Sequence, residues 1–88
     1  MKISIKSFGP EITSLIDRER VVEIEPGSSV DDLILKLEEY IKAEHGRTVK
    51  ILESTFTILI NGCNLEALME RVLKNGDMVT ILSPIGGG

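Results

Sequence analysis

The sequence is poor in the residues that carry side-chain chemistry or covalent cross-links. Its 88 residues include one cysteine, one histidine and no tryptophan. A single cysteine excludes an intrachain disulfide framework, and a lone thiol is typical of a protein in a reducing compartment. His45 and Cys63 are far apart in the sequence and fit neither a metal-ligand nor a catalytic spacing. We therefore expect a protein that is not itself an enzyme and that binds no metal or cofactor.

Long apolar runs and an excess of positive charge are also missing. The start, MKISIKSF, is interrupted by Ser4 and Lys6, unlike the hydrophobic region of a signal peptide. We expect a cytoplasmic protein with no membrane contact. Ten basic against fourteen acidic residues give a net charge of -4, which repels a phosphate backbone unless basic residues cluster. Nucleic acid is therefore not expected as a direct ligand.

The rest of the composition is typical of a small folded domain. Hydrophobic residues make up 42% and charged residues 27% of the sequence, and a chain of this length allows one compact core. No internal repeat or linker divides the chain before its last residues. We predict one domain over residues 1–83 and a flexible tail over residues 84–88.

Alternation of apolar and polar residues predicts four main strands. They are expected at 2–8, 22–25, 56–60 and 78–82, with a brief return strand at 64–65 and a short helical piece through Leu68, Met69 and Val72. In the first strand we interpret Ile3, Ile5 and Phe8 as the apolar face. Turns are predicted where Pro-Gly, Asn-Gly and Asn-Gly-Asp sequences interrupt the pattern.

One long helix is predicted after the second strand. Ser29 and Asp32 resemble a capping box, with Asp in place of the usual Glu, and Gly46 is suited to end the helix in a left-handed conformation. Apolar residues recur between them at helical spacing on one face: Val30, Leu33, Ile34, Leu37 and Ile41. Residues 9–20 and 47–54 have no clear periodicity.

This order of elements describes an α+β domain in which one main helix packs across a mixed sheet of about four to five strands. A β-grasp (ubiquitin-like) fold and a ferredoxin-like fold both fit the periodicity. The ferredoxin-like fold requires a second long helix, which the sequence does not indicate. We therefore predict a β-grasp domain with a flexible C-terminal tail.

The last residues are unusual for their glycine content. Gly86, Gly87 and Gly88 follow Pro84, and three residues without a Cβ allow a chain to pass through a narrow channel. No helix follows them that would cradle a phosphate, so this is not a P-loop. The alternative interpretation is a frayed end or an expression remnant.

The ending LKNGDMVTILSPIGGG resembles the C-terminus of the MoaD/ThiS sulfur-carrier family. In that family a turn with Gly-Asp, here Gly76 and Asp77, leads into a last strand and a proline-containing di-glycine tail. Upstream, VEIEPGSSVDDLILKL resembles the family's strand, Pro-Gly turn and capped helix, and ILING resembles its third strand and turn. Ubiquitin-like protein modifiers share the glycine tail.

The resemblance implies that the working group is the carboxylate of Gly88. A partner adenylyltransferase, related to ubiquitin-activating enzymes, would consume ATP to adenylate it, and a sulfur donor protein would supply the sulfur of a terminal thiocarboxylate. Pro84, Gly86 and Gly87 would thread the tail through the partner's channel. Length and the long helix favour the small subunit of molybdopterin synthase, whose large subunit passes sulfur to a pterin precursor of the molybdenum cofactor.

Other functions remain open at this point. They are sulfur carriage for thiamine synthesis or tRNA thiolation, protein conjugation, and a plain β-grasp binding module with no activated terminus. For partner docking we name three candidates, Leu59, Leu82 and Phe8, because alternation puts Leu59 and Leu82 on the sheet face away from the helix. The alternative is that the segment 45–54 covers that face.

Overall fold

The fold is built on one mixed sheet. A computed structural model of the chain describes residues 1–83. The elements in chain order are β1 (Lys2–Phe8), α1 (Pro10–Thr13), β2 (Glu19–Glu23), α2 (Val30–His45), β3 (Thr57–Ile60), β4 (Cys63–Asn64), a one-turn 3-10 helix (Leu65–Ala67) and β5 (Met78–Leu82). The five strands lie in the order β2-β1-β5-β3-β4. Among the strand pairs of residues 1–83, β1 with β5 is the one parallel pair. The predicted mixed sheet with one main helix is confirmed.

The two central strands supply the inward face of the sheet. Ile3 and Ile5 of β1 and Val79 and Ile81 of β5 are fully buried, as alternation predicts. The assignment of Phe8 to the same face is wrong. Side chains alternate along a strand, so Ser7 takes the inward position and is buried, whereas Phe8 points outward with Lys2, Ser4 and Lys6.

Helix α2 has the start, stop and buried stripe that the sequence predicts. The Ser29 Oγ accepts a hydrogen bond from the Asp32 N–H at 3.1 Å, and the Asp32 carboxylate accepts one from the Ser29 N–H at 2.9 Å. Gly46 ends the helix with φ +67°, a left-handed conformation that costs glycine little. All five apolar residues of the predicted stripe are buried against the sheet.

The Asn61–Gly62 turn joins β3 to β4 and also fixes the start of β5. Both residues have positive φ, +50° and +85°, as a type I′ hairpin turn requires. The Asn61 Oδ1 accepts a hydrogen bond from the Met78 N–H at 2.9 Å, and the Asn61 amide donates to the Asp77 carboxylate at 3.0 Å. The predicted Gly-Asp turn before the last strand is thus tied to the hairpin.

Three predicted elements have different bounds in the structure, among them the return strand expected at 64–65, which is β4 (Cys63–Asn64). β2 covers Glu19–Glu23 rather than 22–25, although Ile24 continues the pairing through hydrogen bonds with Met1. The short helical piece is the 3-10 turn at Leu65–Ala67, where the Asn64 side chain accepts a hydrogen bond from the Glu66 N–H. Residues 68–72 are not helical, and Val72 forms an isolated bridge with Ser29 instead.

The two segments without periodicity complete the core from the helix side. In the segment after α2, Ile51 is fully buried and its N–H donates to the Glu38 carboxylate of α2 at 2.8 Å. Between β1 and β2, three further buried residues join the core: Ile12, Leu15 and Ile16. Within residues 1–83, no helix combines the length and the apolar character needed to cross a bilayer.

Candidate functional site

The end of β5 is the point from which residues 84–88 continue. The Ser83 N–H donates a hydrogen bond to the Phe8 carbonyl at 2.8 Å, which extends the pairing of β1 with β5 by one residue. The Ser83 Oγ accepts a second hydrogen bond, 3.0 Å long, from the N–H of Ile12 in α1. Ser83 is buried, so both bonds are shielded from water. The last residue before the tail is therefore held at two points.

Gly9 makes the close packing around Ser83 sterically possible. Its φ is +101°, a conformation that L side chains rarely adopt. A Cβ at this position would also lie 2.5 Å from the Cβ of Ser83, well inside van der Waals contact. Gly9 thus provides both the turn from β1 into α1 and the space that Ser83 occupies.

The predicted tail residues fall beyond this point. Pro84, Gly86, Gly87 and Gly88 lie outside the residues that the structure describes, and so does the predicted flexibility of 84–88. Their threading and activation roles stay predictions. The structure describes the base from which they extend.

The face of the sheet opposite α2 carries five apolar side chains from four strands, interspersed with polar residues that include Ser4, Lys6 and Thr80. The five apolar residues, here called the outer-face patch, are Val21 of β2, Phe8 of β1, Met78 and Leu82 of β5, and Leu59 of β3. The most exposed are Val21 at 63% and Phe8 at 54%. Exposed apolar groups that lie together on one face are typical of an interaction surface.

All three docking candidates lie in this patch. Phe8 and Leu82 are register neighbours on the parallel strands β1 and β5. Leu59 pairs with Thr80, one step along the same face from Leu82. The fold therefore brings together on one face residues separated by more than 20 positions in the sequence.

The segment after α2 makes its buried contacts on the helix side of the sheet. The Ile51 N–H is bonded to Glu38 of α2, and Val49 and Phe56 pack against the buried core. Both contacts are on the helix side of the sheet. At Val49, Ile51 and Phe56 the chain therefore packs on the side of the sheet away from the docking candidates.

Comparison with known proteins identifies the family. The sequence pattern of the ThiS family matches residues 8–88. The chain belongs to the ThiS family. It is therefore a ubiquitin-like protein of the sulfur-carrier type. No protein with a curated description matches the sequence.

Solved structures similar to this ThiS-family chain share its fold over nearly the whole length. Small archaeal modifier protein 1 of Methanosarcina acetivorans is 27% identical with a TM-score of 0.73, over 99% of this chain and 96% of that one. The putative molybdopterin converting factor subunit 1 of Pyrococcus furiosus is 23% identical with a TM-score of 0.73, over 96% and 98%. A structure of the complex of subunits 1 and 2 of the molybdopterin-converting factor of Helicobacter pylori matches at 23% identity and a TM-score of 0.58, over all of both chains. The predicted β-grasp fold is confirmed.

The residues with reactive side chains lie apart in this ThiS-family fold. His45 lies at the C-terminal end of α2, and its Nε2 is 2.9 Å from the Leu15 carbonyl oxygen. Cys63 is exposed on the edge strand β4. No group of three or more His, Cys, Asp or Glu residues that could hold a metal occurs in the described part of the chain. The candidate site therefore comprises the outer-face patch and the base of the tail at Ser83.

Sequence reasoning missed two parts of this site. Val21 was placed before the second strand, although the alternation of Glu19, Val21 and Glu23 extends that strand toward the N-terminus. The contact of Ser83 with Ile12 has no signal in the sequence, because the two residues are separated by 71 positions.

Proposed function

We propose that this chain is a sulfur carrier in which the carboxylate of Gly88 is adenylated and then converted to a thiocarboxylate. The observation that carries the proposal is the ThiS-family match, which extends through Gly88 and includes Pro84 and the terminal glycines. The described part of the chain supports it with an uncovered apolar face for docking and a tail base held by two hydrogen bonds.

The chemistry requires activation because a carboxylate is a poor electrophile. A Gly88 carboxylate oxygen attacks the α-phosphorus of ATP, pyrophosphate leaves, and an acyl-adenylate forms. A hydrosulfide ion released by a donor protein then attacks the acyl carbon, AMP leaves with one of the carboxylate oxygens, and loss of a proton gives the thiocarboxylate. Both steps are catalysed by partner proteins, and this chain supplies the reacting carboxylate.

Docking and delivery are separate tasks in this mechanism. The outer-face patch binds the adenylyltransferase through apolar contact, while the tail carries the carboxylate into the active site. Holding reactants at close and correct separation contributes strongly to rate. Residues without a Cβ, at Gly86 and Gly87, permit passage through a narrow channel.

For the destination of the sulfur, we propose the pterin precursor of the molybdenum cofactor, with this chain as the small subunit of molybdopterin synthase. The length of the chain and its 16-residue helix α2 are in keeping with this branch. The Helicobacter pylori structure, a complex of subunits 1 and 2 of a molybdopterin-converting factor, supports a large catalytic subunit as second partner.

Protein modification is the second candidate function. The Methanosarcina acetivorans protein named as a small archaeal modifier is 27% identical over almost the whole chain. A modifier uses the same adenylated C-terminus but transfers it to an amine, so both functions begin with the same step. They differ in the acceptor.

Mass spectrometry tests the proposal directly. The protein would be incubated with its adenylyltransferase, ATP and a sulfur source, and its intact mass measured. The replacement of one oxygen by sulfur supports the carrier function, and absence of both adenylate and thiocarboxylate favours the plain binding module. Sulfur transfer to a pterin precursor upon addition of the large subunit supports the molybdopterin branch. Glycine remnants on target lysines support the modifier.

A further inference from the structure

We propose that Ser83 and Gly9 form a lock that sets the position of the tail base, and thereby the delivery of the Gly88 carboxylate, without contributing to docking. This inference rests on the proposed function. The lock is defined by the two hydrogen bonds of Ser83, to Phe8 and to Ile12, and by the close packing of Gly9 against Ser83.

Helix α1 and Ser83 restrain each other through the hydrogen bond from the Ile12 N–H to the Ser83 Oγ. The helix has four residues, too few for stability on its own. Its N-cap is Gly9, which has no side chain, and Pro10 at its first position has no N–H to donate. The Ile12 N–H therefore takes its acceptor from Ser83, 71 residues further along the chain. Ser83 thus acts as a cap that is distant in sequence but adjacent to α1 in the fold.

Two bonds at one residue fix both its position and its orientation. A terminal strand residue held only by its ladder bond would fray, since strand ends open locally at low free-energy cost. The bond to the Phe8 carbonyl is a ladder bond, and the bond to Ile12 is directed away from the ladder toward α1. Ser83 is therefore restrained in two directions immediately before the tail.

The precision of the base matters because the tail is short. From Ser83 to Gly88 the chain has five peptide steps, which span at most about 18 Å when extended. Release of Ser83 would add rotatable backbone bonds between the sheet and Gly88 and spread the carboxylate over a larger volume. The fraction of docked complexes with a correctly placed carboxylate would fall, whereas contact through the outer-face patch would not change.

Ser7 provides a matched control. It is a buried serine at the same end of the sheet, directly opposite Ile81 in the register of β1 and β5. Within residues 1–83 its Oγ has no hydrogen-bond partner. Replacing Ser7 by alanine removes the same hydroxyl from a similar environment but breaks no bond of the lock.

The first test measures the lock in the isolated protein by amide hydrogen exchange. The Ile12 amide should exchange at least about fivefold faster in Ser83→Ala than in wild type, since a hydrogen bond of this kind typically shifts an equilibrium by about that factor. Ser7→Ala should leave Ile12 exchange within about twofold of wild type. Equal Ile12 exchange in wild type and Ser83→Ala would overturn the lock.

The second test measures delivery by the steady-state kinetics of adenylate formation at a temperature where every variant is folded. Ser83→Ala should lower kcat by about five- to tenfold with KM within about twofold, and Gly9→Ala should act in the same direction. Ser7→Ala should match wild type. A rise in KM with unchanged kcat, or equal behaviour of Ser83→Ala and Ser7→Ala, would refute the positioning role while leaving the proposed function intact. No adenylate from wild type itself would refute the proposed function, and the positioning role with it.

Discussion

Phe8 and Leu35 allow a direct test of which face of the domain binds partners. Their exposed fractions are nearly equal, 54% and 55%. Phe8 belongs to the outer-face patch. Leu35 lies on α2, which packs against the other face of the sheet. Truncating each to alanine removes a similar exposed apolar group from opposite sides of the molecule.

The expected effect of Phe8→Ala follows from the exposed area of its ring. A phenylalanine side chain presents about 200 Å², of which the exposed fraction leaves about 110 Å² for a partner to cover. Covering that area contributes at most about 2.7 kcal/mol at ~25 cal/mol per Å². Alanine retains the Cβ, so we expect a loss of about 2 kcal/mol, or about 30-fold in Kd. The Phe8 carbonyl that accepts from Ser83 is retained.

Isothermal titration calorimetry with the adenylyltransferase would measure both variants. Phe8→Ala should bind about 30-fold more weakly than wild type, and Leu35→Ala within about twofold. Circular dichroism melts of the free variants would verify that both remain folded. Equal Kd values for the two variants, or a larger loss for Leu35→Ala, would refute the assignment of docking to the outer face.

Three further outcomes are expected. Leu59→Asp and Leu82→Asp should each weaken adenylyltransferase binding in the same titration while the far-ultraviolet spectrum is unchanged, and wild-type affinity in both would remove them from the docking surface. Ser29→Ala should cost about 1 kcal/mol through loss of the capping box and lower Tm by about 4–8 °C. Ser28→Ala, next to it, is the control, and an equal Tm for the two variants would argue against the cap. Neither serine variant should alter thiocarboxylate yield.

The parts of the fold that the sequence predicts are those with local signals. Helix α2 has a periodic apolar stripe, a capping residue at Ser29 and a glycine at the C-cap, and each signal acts within a few residues. The Asn61–Gly62 turn is likewise determined by which residues tolerate positive φ. These elements can be predicted without knowing which residues pack against them in the folded chain.

The errors have equally specific causes. Phe8 was assigned inward because it is apolar, but strand alternation outweighs hydrophobicity, so the buried position went to Ser7. Ile12 and Ile51 are fully buried in irregular segments, where a single apolar residue gives no period to detect. Their burial depends on packing against elements distant in the sequence.

The candidate site likewise has one part that local sequence patterns predict and one part that they do not. The docking candidates Leu59 and Leu82 follow from strand alternation, which is local. The Ser83 contact with Ile12 depends on the parallel pairing of the first and last strands, which brings the ends of β1 and β5 together. Parallel pairing joins segments distant in sequence, and no local pattern specifies which residues meet.

The central claim is that the reaction occurs at the carboxylate of Gly88, and intact-mass measurement of three proteins tests it most directly. Wild type, a form extended by one residue after Gly88, and Gly87→Ala would be incubated with the adenylyltransferase, ATP and a sulfur source. The extension would displace the reacting carbon by up to about 3.6 Å, and a Cβ at position 87 would obstruct the narrow channel that the proposed mechanism requires. We predict thiocarboxylate on wild type, none on the extended form and little on Gly87→Ala. Equal yields from all three would contradict the assignment of Gly88 as the functional site.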